Sequence, residues 1–125
     1  MSNNVFIIDA QEDTPMAKLE KEGGHNTILI KGVLMPENPH EFFEPLSENV
    51  FKFFDQFSNT KMEVELDYMN SMSNKLILKL IFNIHEKAKD FKVVWKCGEQ
   101  DDLMKIKGME IKLAFPEIDI VVEEN

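Results

Sequence analysis

Glu65-Leu66-Asp67-Tyr68-Met69-Asn70-Ser71-Met72-Ser73-Asn74-Lys75 decides the fold, because two different periodicities meet within it. Leading in, Met62, Val64, Leu66 and Tyr68 alternate with Lys61, Glu63, Glu65 and Asp67. Successive side chains of an extended chain point to opposite faces, so this alternation predicts a strand packed on the Met62, Val64, Leu66 and Tyr68 side. Leading out, Leu76, Ile77, Leu80, Ile81, Ile84 and Ala88 recur at steps of three and four, leaving Lys75, Lys79, Asn83 and Lys87 for solvent. That spacing predicts a helix from Ser73 to Lys89. At the junction the first turn of the helix leaves backbone N–H groups unpaired, and small polar side chains accept them. Asn70, Ser71 and Ser73 are each able to do so, and capping is the first reading of these residues.

Upstream, Val5 to Ile8 is a short apolar run with the pattern of a terminal strand, followed by a polar loop over Ala10 to Asp13. Thr14-Pro15 opens a second extended segment with Met16 and Leu19 as its inward residues. Gly23-Gly24 signals a tight turn into Thr27 to Gly32, giving a hairpin with His25 exposed at its tip. The stretch Met35 to Ser58 is rich in Phe. Asn38-Pro39 suits the start of a short helix that Pro45 ends, and Ser47 caps a second helix placing Val50, Phe53, Phe54 and Phe57 on the core. Burying each ring is worth about 2–3 kcal/mol. Phe42 or Phe43 is the alternative candidate, as an exposed anchor for a partner.

Downstream, Lys92 to Lys96 reads as a short strand and Gly98 to Asp102 as a turn with an acidic helix start. A helix then carries Leu103, Met104, Ile106, Met109, Ile111, Leu113 and Phe115. Gly108 marks either a break or a close packing contact, Pro116 ends the helix, and Ile118, Ile120 and Val122 alternate as a last strand. Strands separated by helices need crossovers, so the last three strands are expected to run parallel. The fold class is therefore α/β: a single domain over residues 1–125 with a mixed β-sheet, an N-terminal hairpin near one edge, and helices packed on it.

Composition narrows the function. The chain has 125 residues, 43% of them hydrophobic, and a formal charge of −9 with all fourteen basic residues Lys. Without Arg there is no planar fork for phosphate or guanine, and the acidic balance repels polyanions, which argues against nucleic acid and an anionic membrane surface as partners. No apolar run approaches a membrane span and the amino terminus lacks a signal-peptide layout, so the expected location is cytoplasmic. Cys97, the single cysteine, fits a reducing compartment. No Gly-rich phosphate loop, nucleophile elbow, paired-cysteine metal motif or internal repeat occurs. His40 beside Glu41 lacks a third ligand, and Cys97 with His85 is poorly placed for nucleophilic catalysis. Asp101 and Asp102 suit the positive end of a helix dipole. Two other classes stay open: a non-switching interaction module using the Phe-rich segment, and a small-ligand or metal-binding domain using Asp67, Asp101 and Asp102.

The run Tyr68-Met69-Asn70-Ser71-Met72-Ser73-Asn74-Lys75 resembles the Tyr-x-Asn-Thr/Ser-x-Ser-x-Lys signature of the SiaC family. Two further stretches agree with that family in order and spacing: Gly32 to Asn38 followed by Glu41-Phe42-Phe43, and Trp95 followed by Asp101-Asp102. Ser71 stands where Thr is more familiar, and Met72 replaces a usually small polar residue. The resemblance implies a STAS-like fold and a regulatory protein, not an enzyme, with no cofactor. Ser71 would be reversibly phosphorylated by a dedicated Ser/Thr kinase and dephosphorylated by a metal-dependent Ser/Thr phosphatase. The unphosphorylated form would activate a GGDEF-type diguanylate cyclase in c-di-GMP signalling. It further implies that Asp67, Tyr68, Asn70, Ser73 and Lys75 surround the phosphosite, and that Pro36, Glu37, Asn38 and Phe42 form part of a partner surface.

Overall fold

The computed structural model describes residues 4–54, 57, 59–88 and 90–125. In chain order its elements are β1 (Val5–Ile8), β2 (Met16–Glu22), β3 (His25–Leu34), α1 (His40–Phe53), β4 (Asn59–Met69), α2 (Ser71–Lys87), β5 (Asp90–Cys97), α3 (Asp102–Ala114) and β6 (Asp119–Glu124). The strands form one sheet in their sequence order, β1-β2-β3-β4-β5-β6. The first two pairings are antiparallel and the last three parallel. The expected parallel block is thus one strand larger than predicted, because β3, the return strand of the hairpin, itself runs parallel to β4. Gly23 and Gly24 turn the hairpin with φ of 57° and 83°, a left-handed pair that glycine adopts without a Cβ clash.

Strand alternation puts one face of the sheet in the core. The register aligns Phe6, Leu19, Ile28, Met62, Val93 and Ile120 in one row across all six strands, and Ala17, Ile30, Val64, Trp95 and Val122 in the next. Leu46 and Val50 of α1, Ile77, Leu80, Ile81 and Ile84 of α2, and Met104 and Ile111 of α3 join the same cluster. The opposite face carries ion pairs between strands, Lys31 to Glu65 at 3.3 Å and Lys96 to Glu63 at 3.6 Å. Val94 of β5 is buried on that face as well.

Four local expectations are corrected. Leu19 is inward as expected, with Ala17 beside it, while Met16 lies half-buried on the other side, because residues three apart fall on opposite faces of a strand. Pro45 does not end a helix: α1 continues through it to Phe53, and Ser47 sits inside it. Proline removes the N–H that would bond to the Glu41 carbonyl, but Glu41 and Pro45 both face solvent, where water can meet that carbonyl. Phe42, 7% exposed, packs edge-on against the buried Phe43 at 5.2 Å, so both serve the core and neither is an exposed anchor. Helix α2 begins at Ser71, two residues before the expected start, and its expected end at Lys89 lies outside the described residues.

Gly108 is a close contact and not a break. A Cβ there would sit 2.4 Å from Trp95 Cδ1, and the indole N–H of Trp95 donates to the Met104 carbonyl at 2.9 Å. The ring of β5 therefore seats α3 directly against the sheet.

Candidate functional site

The end of β4 is aimed by a bulge. Gly32 pairs with Leu66, but the next residue, Val33, pairs with Tyr68, leaving Asp67 as an extra residue on β4. Two residues facing one break strict alternation. Asp67 and Tyr68 are both exposed, and Met69 returns to the core. The prediction that Tyr68 packs inward is corrected by this extra residue: Tyr68 is 44% exposed. Gly32 takes φ of 134°, and a Cβ on it would lie 3.2 Å from the Pro15 backbone, so the bulge needs glycine there.

Asn70 then joins three pieces of chain. Its backbone N–H donates to the Leu34 carbonyl at 3.1 Å. Its side-chain Nδ2 donates to the Pro36 carbonyl at 3.1 Å, and its Oδ1 accepts from the Ser73 N–H at 2.9 Å. With ψ at 166° it is the N-cap of α2. The Gly32-to-Asn38 stretch and the Tyr68-to-Lys75 stretch, far apart in sequence, are thereby held side by side. Capping belongs to Asn70, which leaves Ser71 exposed at the first helical position.

The other site candidates divide. Lys75 is exposed one turn beyond Ser71, on the side suited to meet a charge there. Ser73 is buried, and its hydroxyl finds no partner among the described residues, so it does not meet an incoming surface from this position. Glu37 and Asn38 are exposed, with the Asn38 Oδ1 accepting from the His40 N–H at 3.2 Å, whereas Pro36 and Phe42 are buried. These four residues help line an open cleft of about 630 Å³, made acidic by Asp9, Asp13, Glu37 and Glu41. The Asp101 carboxylate accepts from the Met104 N–H at 3.2 Å and caps α3, in line with the dipole reading of the pair. Among the described residues no group of three or more His, Cys, Asp or Glu is arranged to hold a metal. Trp95 and Asp101 of the third family-like stretch build the seat of α3, and the first two stretches lie side by side at Asn70.

Sequence reasoning missed the apolar rim. Met35 and Met72 are exposed, as is Tyr68. Met35 lies between the two residues whose carbonyls Asn70 holds, and Met72 follows Ser71. Met72 stands one turn before Leu76 on the edge of the apolar stripe of α2, so periodicity gives no sign that it is exposed. Exposed methionines and a tyrosine around a polar centre have the composition of a contact surface.

A family model described as SiaC family regulatory phosphoprotein matches residues 8–125. The fold is similar to a chain in the crystal structure of diguanylate cyclase SiaD in complex with its activator SiaC from Pseudomonas aeruginosa. The TM-score is 0.80 at 17% identity, over 96% of this chain and 99% of that one. Apo-SiaC from the same organism aligns with a TM-score of 0.74 at 20% identity, over 98% and 99% of the two chains. No curated protein matches. No helix among the described residues is long and apolar enough to cross a membrane.

Proposed function

This chain belongs to the SiaC family of regulatory phosphoproteins, and on that premise we propose that it is a binding switch whose state is set by phosphate on Ser71. The observation that carries the proposal is the division of labour at the junction: Asn70 caps α2, and Ser71 stands exposed with no structural duty. A phosphate adds about 1.5–2 negative charges and strong acceptor oxygens at a helix amino terminus, where unpaired N–H groups and Lys75 can receive them. The fold tolerates it. A partner packed on Tyr68, Met72 and Met35 does not, because docking would desolvate a dianion.

The partner we assign is a GGDEF diguanylate cyclase, bound and activated by the unphosphorylated form, by analogy with the activator SiaC. A Ser/Thr kinase and a metal-dependent Ser/Thr phosphatase would write and erase the mark. Asp67, Glu37 and Asn38 supply the exposed polar edge of the same surface.

The test is calorimetry of Ser71→Asp and Ser71→Ala against the cyclase, with thermal melts alongside. A carboxylate carries about half the charge of the phosphate, so Ser71→Asp should weaken the complex at least tenfold, about 1.4 kcal/mol, with an unchanged or slightly raised melt. Ser71→Ala should bind as wild type and resist switching by the kinase. Wild-type affinity in Ser71→Asp with an unchanged melt refutes this surface as the regulated one.

A further inference from the structure

Among the described residues nine large apolar side chains are exposed, and four of them share the outward side of α3. Leu103, Ile106, Met109 and Leu113 are 45% to 78% exposed, opposite the buried Met104, Gly108 and Ile111. Phe82 of α2, itself exposed, stacks on Phe115 at 6.1 Å and extends the patch past the end of α3. Scattered apolar residues on a surface are ordinary, but a continuous row along three turns of one helix marks a contact site.

The charges along α3 indicate what covers it. The chain carries −9 overall, yet α3 has three lysines, Lys105, Lys107 and Lys112, against Asp102 and Glu110. Lys105 is ion-paired with Glu124, which leaves Lys107 and Lys112 balanced against Asp102 and Glu110, so α3 is a locally neutral element on an acidic molecule and a place where two copies can meet without strong repulsion. The order of the charges selects the geometry. Two α3 helices packed antiparallel bring Asp102 of one copy beside Lys112 of the other at both ends of the contact. Their dipoles then oppose. A parallel pairing would set Asp102 against Asp102. An isologous contact requires this kind of self-complementarity.

We propose that this chain forms a two-fold homodimer through the Leu103, Ile106, Met109 and Leu113 face of α3. The contact shares no residue with the surface around Ser71, so it stands independently of the switch proposal and would leave both switch surfaces of the dimer open.

Sedimentation equilibrium of the full chain tests it. The expected mass is twice the 14.5 kDa of one chain, falling to that of a monomer on dilution. Ile106→Glu and Leu113→Glu should each weaken association at least tenfold, with circular dichroism unchanged. Lys112→Asp should also weaken it, and the double variant Asp102→Lys/Lys112→Asp should restore it, since the swap re-forms the pair across the two-fold. This second set changes only exposed residues and keeps the test decisive should a glutamate variant fold poorly. A monomer at concentrations of about 200 μM, equivalent to a dissociation energy weaker than about 5 kcal/mol, overturns the proposal. So does a dimer indifferent to Ile106→Glu, a swap that fails to restore association, or a ridge that is covered only when the cyclase is added.

Discussion

Removing the Asn70 side chain should cost far more stability than removing its neighbour's hydroxyl. Asn70→Ala loses the cap on the Ser73 N–H at 2.9 Å, worth about 1 kcal/mol. It also loses the Nδ2 bond to the Pro36 carbonyl at 3.1 Å, worth about another 1 kcal/mol. Asn70 is half-buried, so water replaces these bonds only in part. The expected loss is about 2 kcal/mol, or a drop of roughly 6–10 °C in melting temperature for a domain of this size. Asn70→Asp keeps an acceptor for the cap but has no donor for Pro36, so it should fall between wild type and Asn70→Ala. Ser71→Ala, at an exposed position without a capping bond, should stay within about 0.5 kcal/mol of wild type. Urea titration of all three variants gives the comparison. Equal losses in Asn70→Ala and Ser71→Ala would refute the assignment of the cap, and a loss near 1 kcal/mol in Ser71→Ala alone would make Ser71 structural.

Gly108→Ala should destabilise the domain by about 1–3 kcal/mol despite the better helix propensity of alanine, since its Cβ meets a buried indole that a hydrogen bond holds in place. Trp95 is the single tryptophan, so its fluorescence and near-ultraviolet dichroism should report the displacement directly. Met72→Glu places a carboxylate in the first turn of α2, where the helix dipole favours it; the melt should hold while cyclase affinity falls at least tenfold, about 1.4 kcal/mol. Burial first, then the charges of Glu124 and Asp101, raise the Cys97 thiol above its ordinary value. It should stay protonated through neutral pH, and a thiol reagent at mildly alkaline pH should label it only as fast as the protein unfolds; rapid labelling of the native state would contradict that burial.

The backbone plan was legible because it rests on long periodic segments. The alternation over Met62 to Leu66 and the stripe of Ile77, Leu80, Ile81 and Ile84 each bury one face, and their switch of period places the junction. Failures came where one residue changes the phase or the context. Asp67 preserves the alternation in the sequence, so the bulge that turns Tyr68 outward leaves no trace in the pattern; it is set by the glycine of another strand, where Gly32 passes Pro15. Pro45 carries a strong breaking tendency, overridden because α1 buries Phe42, Phe43, Leu46 and Val50 on one side while the proline faces solvent. At the site, three side chains were equivalent candidates for the cap, and only tertiary structure separates Asn70, tied to Pro36, from exposed Ser71 and buried Ser73. The proposal of Ser71 as the phosphosite came from likeness to a family, since a hydroxyl at a helix start is ordinary by physics alone. Met35 and Met72 went unread because a methionine in a loop has no periodicity and one in step with Leu76 reads as part of the stripe.

The bulge gives the junction one residue of slack in length. Asp67 absorbs one step between Leu66 and Tyr68, while Met69 stays opposite Leu34 in the core and Asn70 reaches the Leu34 carbonyl. Many side chains fit an exposed step, so Asp67 is open to substitution. Deleting it leaves Leu66, Tyr68 and Met69 opposite Gly32, Val33 and Leu34 in plain alternation, with Met69 still inward and Asn70 still at the head of α2. A lineage carrying this domain is therefore free to lose one residue at the bulge, whereas a deletion between Met69 and Ser73 would detach the cap from the helix and the serine from its surface.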